Sequence, residues 1–531
     1  MPLSVTDPWD VVILGAGFAG LTLALQLRKQ VPHWSLLVVD KAGEVIMDGT
    51  HKVGESVLEG AGFHLCSTLD LDAYVRENHL KKFGVRAFGG STSDFARRLE
   101  IGGRNFNPLF PSYQLDRGIL ERDLRRKVVE AGAELRLECR VEDIDLAERV
   151  VRLRNGSVRF KWVVDALGRS RFLQRRLGLG LESPHRASAC WWRVRGVHDV
   201  SDIVPKTNTA FHGRTVARRW FSTNHVMGDG YWMWFIPLAS DHTSIGIVST
   251  EDQHPIRERS SWEDARSFLE KHEPGVARLL RGTTPADFHA LKEFSYRTQR
   301  AFGDRWACVG EAAAFTDPLW SHGSESMAWA NSAVTALIAR DAAGRHDPSI
   351  VDLYDRVFRN HIDDVMALYT SNYGVLGRDR PLLAKYAWDF AHYWSCWLPV
   401  LVHRAFDDPA IIAEYLPLAR QQRALNERVQ TRLREWIHDD PAPVGRYHLR
   451  TRMPAIAAIP HAVFTRESRS DFIARRREVF ASTADLAEAI FREAGHPADP
   501  SEAMATQLKR YLDDPVLPDQ PEWFEQDQFS G

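Results

Sequence analysis

The residues whose types and spacing could do chemistry fall into four short stretches. Gly15-Ala16-Gly17-Phe18-Ala19-Gly20 directly follows the apolar run Val11-Val12-Ile13-Leu14 and leads into the helical pattern Leu21, Leu23, Ala24, Leu27. Glycines so spaced let backbone amides at a helix N-terminus approach a pyrophosphate. Asp40 stands twenty residues past Gly20, at the end of Ser35-Leu36-Leu37-Val38-Val39, where an acid binds the ribose hydroxyls of a dinucleotide. Read alone, the glycines could be a chance turn; strand, helix, strand and acid in register argue for dinucleotide binding. Leu80-Lys81-Lys82-Phe83-Gly84 sets two lysines before an aromatic and a glycine. By itself it reads as a basic helix end with a C-cap glycine. Tyr231-Trp232-Met233-Trp234-Phe235-Ile236-Pro237 places two indoles on one face of a strand, the pattern of a buried Trp ladder. The fourth stretch is Phe315-Thr316-Asp317-Pro318-Leu319-Trp320-Ser321-His322-Gly323, a loop ahead of a helical pattern from about 325 to 343.

The elements that must position these residues alternate in type. His51-Lys52-Val53-Gly54-Glu55-Ser56-Val57 is a Gly-containing loop entering an apolar helix pattern, with Glu55 or Ser56 as its cap. Gln114-Leu115-Asp116-Arg117 leads into a helix carrying Leu120, Leu124, Val128 and Val129. A strand through Val163-Val164 runs into Asp165-Ala166-Leu167-Gly168-Arg169-Ser170, a second loop built for close backbone approach near an adenosine. From 187 to 249 the segments are rich in Trp and β-branched residues and alternate, as antiparallel strands do. Trp306-Ala307-Cys308-Val309 then returns as a buried strand, with Gly310-Glu311 as its exit. The region from about 350 to 515 reads as helical and aromatic-rich, and Arg475-Arg476-Arg477 within it as a solvated face.

Composition removes several classes of function. The net charge of −2 gives no support to a nucleic-acid or anionic-membrane partner. Five cysteines (Cys66, Cys139, Cys190, Cys308, Cys396) form no CxxC, so neither a disulfide framework nor a metal site is expected, and the cytoplasm is the expected compartment. The uncharged stretch at 11–27 is interrupted by three glycines and preceded by Asp7 and Asp10, unlike a signal peptide or a membrane span. At 531 residues the chain fits two or three subdomains.

Taken together, the four stretches resemble the flavin-dependent halogenases over about residues 10–345. Trp232-x-Trp234-x-Ile236-Pro237 matches the family's W-x-W-x-I-P motif, and Gly15 to Gly20 its FAD fingerprint. The loop ending at Gly323 matches its F-x-x-P-x-x-S-x-G element, and Lys82-Phe83-Gly84 the K-x-G segment that holds an essential lysine. The resemblance implies an α/β, FAD-binding Rossmann-like fold of the GR2-type flavin monooxygenases, with an inserted antiparallel sheet and a mainly helical C-terminal region. The expected division is 1–186 with 300–345 for FAD and halide, 187–299 for the inserted substrate-side sheet, 346–515 helical, and 516–531 an acidic tail.

The implied chemistry starts from FADH2 supplied by a separate reductase, oxygen, and chloride or bromide. Hypohalous acid so formed crosses an internal passage to Lys82 and halogenates a small aromatic substrate, free or carrier-protein-bound. FAD contacts are expected at Gly15, Ala16, Gly17, Ala19, Gly20, Asp40, Glu55, Ser56, Arg117, Asp165, Gly168, Gly310, Glu311 and Pro318. Halide is expected on the backbone N–H groups of His322 and Gly323, a pair that suits a small anion. Lys82 could act as a haloamine, which needs a neutral amine, or as an ammonium that polarises the hypohalous acid; its residue type serves both. Trp320 stands where tryptophan-specific members carry Glu, which turns the expectation from free tryptophan toward an electron-rich phenol, pyrrole or indole. An FAD-dependent aromatic hydroxylase and a flavoprotein without catalysis are the competing readings; the Trp motif and Gly310-Glu311 in place of Gly-Asp count against the first.

Overall fold

The apolar run at 11–14 becomes the strand Trp9–Leu14, in the middle of a mostly parallel sheet. On one side it pairs with Leu36–Val39 and then Glu134–Arg136; on the other with Gly156–Asp165, followed by Trp306–Cys308 and Phe302–Gly303. Continuous Val, Ile and Leu suits strands covered on both faces, here by the helices Phe18–Gln30 and His322–Ala342 among others. Register brings Leu14, Asp165 and Cys308 side by side, so three strands end together. The loops that leave them carry Gly15, Gly168 and Gly310, at the strand ends where open α/β sheets bind ligands. This computed structural model describes residues 7–43, 52–90, 92–102, 111–215, 218–436 and 468–495.

The second sheet has seven strands in the order Pro285–Leu291, Ala187–Arg195, His242–Thr250, Tyr231–Leu238, Thr223–Gly228, Val85–Gly89, Leu99–Gly102. Tyr231–Leu238 and His242–Thr250 pair as a hairpin, with Trp232 opposite Val248 and Trp234 opposite Gly246. Two of its strands come from outside 187–299, which corrects the expected boundary. Val85–Gly89 pairs in parallel with Thr223–Gly228, because the chain enters this sheet before returning to the first. Lys82 consequently lies in the crossing segment between the sheets, just past the short strand Leu80–Lys81, and not at a helix end.

Alternation along Tyr231–Leu238 divides two cores. Trp232, Trp234 and Ile236 belong to the large core shared with the first sheet, while Tyr231, Met233 and Phe235 pack under the helices Trp262–His272 and Pro274–Leu279. The remaining described chain is helical, chiefly Pro348–Ala367, Asp379–His392, Pro409–Trp436 and Arg469–Gly495. It packs directly on the large core. Arg476 is buried with its Nη1 on the Ser395 carbonyl, so the arginine run is not wholly a solvated face. The expected acidic tail lies outside the described residues.

Candidate active site

At the nucleotide end, the glycines show what fits. A Cβ at Gly15 would collide with the Ala166 carbonyl, and one at Gly20 with Gly15 itself, so both serve the tight turn. Gly310, at φ +58°, packs its Cα on Ala19, where an added Cβ would come within 2.8 Å. Gly17 differs. A Cβ there would meet only Glu121 Oε2, at 4.0 Å, so the space over the helix N-terminus is open, and that terminus has no side-chain cap. Glu121 alone would repel a phosphate, but Lys52 and Arg117 both pair with it. Arg117 also lies over the Phe18 ring and donates to the carbonyls of Val53 and Gly54. These residues fit a dinucleotide whose pyrophosphate sits on the helix start.

The other expected cofactor residues divide by what already holds them. Asp40 accepts from the amides of Ala16 and Ala42, both at 2.7 Å, so it steadies the glycine turn. Asp165 is buried with its carboxylate on the amides of Leu167 and Leu173, and burial pushes it up to about 6; it shapes the loop from within. Glu311 lies among Arg169, Arg117 and Glu121 beside Gly168, and burial raises it. Glu55 is engaged elsewhere: Arg193 of the second sheet holds its carboxylate in a buried ion pair. Pro318 caps the short turn Leu319–Ser321.

Lys82 is fully buried while Lys81 stays partly exposed. Its Nζ donates to Ser56 Oγ at 2.8 Å and to the Val57 carbonyl at 3.2 Å. Ser56 Oγ also receives Ser321 Oγ at 3.1 Å. Thr223 spends its proton on Gln114 Oε1, so Ser56 must be the donor to Thr223. Burial pushes Lys82 down to about 8, against the opposing pull of Glu59 and Glu325. His225, buried beside Trp232 and Trp320, is driven down to about 3 and stays neutral.

The loop from Phe315 enters its helix through two consecutive left-handed residues, Trp320 at φ 64° and Ser321 at φ 67°. Non-glycine residues rarely adopt this conformation, and two in succession mark a turn held by its surroundings. The amides of His322 and Gly323 find no acceptor among the described residues, and the position of a Cβ on Gly323 is open space. Tyr369 spends its proton on the Leu319 carbonyl, so His322 Nδ1 donates to the tyrosine and the imidazole is neutral. Two unpaired N–H groups beside a space make an anion site that needs no charged side chain.

The tryptophan pair supports that turn. Trp232 Nε1 donates to Tyr373 Oη at 2.7 Å, and Tyr373 donates to Asp317 Oδ2 at 2.6 Å. Asp317 also binds His185 and, through Oδ1, the amide of Leu319. Trp234 donates to Ser244 Oγ and lies across Gly246, where any side chain would strike its ring. Trp320 Nε1 donates to Asp389, which pairs with the buried Lys385. Sequence reasoning missed Tyr373, Tyr369, His185, Glu59, Glu325 and Tyr393; only the buried-helix pattern around the C-terminal aromatics hinted at the tyrosines.

A Rossmann sheet with an open helix start, joined to a buried lysine that shares a serine with a turn carrying two unpaired amides, defines an FAD-dependent oxidoreductase. The family model for tryptophan halogenases matches residues 73–383, more than half the chain, and the protein belongs to that family. It is a flavin-dependent halogenase and uses FAD. The flavin-dependent halogenase chlA of Dictyostelium discoideum is 26% identical over 447 residues, covering 76% of this chain and 72% of that protein. A 1H-pyrrole-2-carbonyl-[peptidyl-carrier protein] brominase of Pseudoalteromonas luteoviolacea is 28% identical over 342 residues, covering 60% and 75%. Among solved structures, halogenase PltM in complex with phloroglucinol and FAD superposes with a TM-score of 0.63 at 17% identity, covering 92% of this chain and 99% of that one. No described helix is long and apolar enough to cross a membrane.

Proposed function

We propose that the protein halogenates an electron-rich aromatic, a phenol, pyrrole or indole, with hypohalous acid delivered through Lys82. Bound FAD, reduced by a separate reductase, supplies the electrons that turn oxygen and halide into that acid. Halide sits on the amides of His322 and Gly323. Hypohalous acid then reaches Lys82, whose ammonium donates a hydrogen bond to its oxygen and makes the halogen more electrophilic. Burial lowers Lys82 only to about 8, so the protonated form is favoured at neutral pH, which supports the ammonium over the haloamine. Trp232 and Trp234 perform no step themselves; they wall the aromatic off from the flavin, and Trp232 anchors the halide turn through Tyr373.

The observation that carries this reading is the join between lysine and anion turn: Lys82 Nζ and Ser321 Oγ share Ser56 Oγ, deep in the protein. Trp320 in the position of the tryptophan-orienting Glu directs the reading to substrates rich enough in electrons to react without it. The pyrrole brominase relative acts on a carrier-bound ring, and a carrier-bound substrate fits this reading as well as a free one. Five free cysteines are in keeping with a cytoplasmic enzyme.

The test is to incubate protein, reductase, FAD and bromide or chloride with a panel of phenols, pyrroles and indoles. Lys82→Ala should lose halogenation while keeping FAD binding and hypohalous acid release, and Lys81→Ala should stay active. A Lys82→Ala protein that still halogenates, or consumption of NAD(P)H by the protein alone with an oxygenated product, refutes the reading.

A further inference from the structure

Lys82 has two carboxylates, Glu59 and Glu325, as neighbours. Glu59 opens the short helix Glu59–Phe63, two residues past the Val57 carbonyl that Lys82 binds. It is surrounded by protein and partly exposed. Behind it lie Glu325 and Tyr393, both buried. Tyr393 Oη donates to Glu325 Oε1 at 2.6 Å, and the Gly60 amide donates to both, at 2.9 Å to the carboxylate and 3.0 Å to the phenol. Tyr393 is also within hydrogen-bonding reach of Glu59. A Cβ on Gly60 would strike Glu325 Oε2, so only glycine lets the carboxylate this close.

Two structural departures frame the cluster. His64–Thr68, directly after the Glu59 helix, is π-helical, and so is Tyr393–Trp397. Such turns are uncommon and concentrate at functional sites. Here one turn begins at Tyr393 itself and the other directly follows the helix that carries Glu59 and Gly60.

Substitution on an aromatic ring displaces a proton. In the balanced step, ArH and HOX give ArX and H2O. A C–X bond forms as the O–X bond breaks, the electron pair of O–X stays on oxygen, and Lys82 gives that oxygen a proton. The proton on the halogenated carbon must leave in turn, and Trp320 cannot take it.

We propose that Glu59 accepts this ring proton, with Glu325 and Tyr393 holding it in place and passing the proton back toward Lys82. This rests on the function proposed above and adds the second half of its proton balance. Tyr393 has one proton and two carboxylates beside it, so it can donate to either one while accepting from the other. Burial raises Glu59, and pushes Glu325 up to about 7 with the neighbouring Glu59 carboxylate adding to the rise, so the pair holds a proton readily. The titratable groups facing the cluster are Lys82, Tyr386 and Tyr393, with His225 and His322 beyond Lys82, both neutral.

The test compares the unaltered protein with Glu59→Gln and Tyr393→Phe. The probe is whichever simple phenol the unaltered protein halogenates fastest, with and without deuterium on the ring. For Glu59→Gln we expect halogenation to fall about 100-fold, as loss of a general base does. Hypohalous acid, trapped by an added thioether, should still be released. A ring-deuterium isotope effect, absent in the unaltered protein, should appear in this variant, and Tyr393→Phe should show it with a smaller fall. Loss of rate without an isotope effect in either variant means that Glu59 acts only on the charge of Lys82 and overturns the proposal, as does unchanged halogenation. If Glu59→Gln fails to fold, Tyr393→Phe decides by the same readout. Failure of the unaltered protein on every phenol, pyrrole and indole sinks the functional reading instead.

Discussion

At the scale of the residue, charge at Lys82 is decided by burial against two carboxylates. An exposed lysine would remain an ammonium throughout the working range of an enzyme; this one is lowered to about 8. The sign of the consequence follows directly. Where the ammonium is the active form, halogenation falls as pH rises through about 8, whereas a haloamine route would rise over the same window. On the acid side activity falls as Glu59 protonates, above the ordinary carboxylate range because burial raises it. A rate profile between pH 5 and 10, with hypohalous acid release measured in parallel, separates the two routes. Neighbouring Lys81 shows how little the residue type says: the same side chain one position earlier is half-buried.

At the scale of the element, two helix starts do related work with different means. Phe18–Gln30 begins at a glycine whose outer face is free, and His322–Ala342 begins after two left-handed residues with its first amides unpaired. Each leaves backbone N–H groups open to an anion, pyrophosphate at the first and halide at the second in the function proposed above. Because the site at Gly17 lies in open space with φ −94°, Gly17→Val should fold normally and fail only in FAD binding. Flavin fluorescence titration and a thermal melt check the two halves of that expectation. The strand Tyr231–Leu238 earns its place structurally, since its Trp232 reaches the halide turn through Tyr373 and Asp317.

At the scale of the whole molecule, the candidate site forms only where three parts meet. The first sheet brings the glycine turns, the segment crossing between the sheets brings Lys82, the second sheet brings Trp232 and Trp234, and the helical region brings Tyr369, Tyr373 and Tyr393. The C-terminal helices are thus walls of the site and not an appendage. Arg193 of the second sheet fastens to Glu55 of the nucleotide-side loop and to Asp287, nearly all of it buried. Arg193→Ala would leave Glu55 buried without its partner, a change that costs about 3–5 kcal/mol. Denaturant unfolding of the variant should show a loss of that size, with FAD binding weakened alongside because Ser56 and Arg117 adjoin the same loop.

What the sequence by itself determined is what local spacing can encode. The strand, glycine turn and helix from 11 to 30 form as read, because steric demands on consecutive residues specify them. The two indoles of the W-x-W motif share a face, because strand periodicity leaves no other choice. Those motifs were enough to bring the family into view. The structure alone decided which lysine is buried, that 85–102 joins the second sheet, and that Glu55 serves an ion pair. It alone brought Glu325 to the Gly60 amide beside Glu59 and to Tyr393, contacts that join residues 265 and 68 positions apart. No periodicity spans such distances: a buried carboxylate can be identified only once the elements around it have packed, because burial, and the charge state it imposes, belongs to the assembled core and not to any segment of the chain.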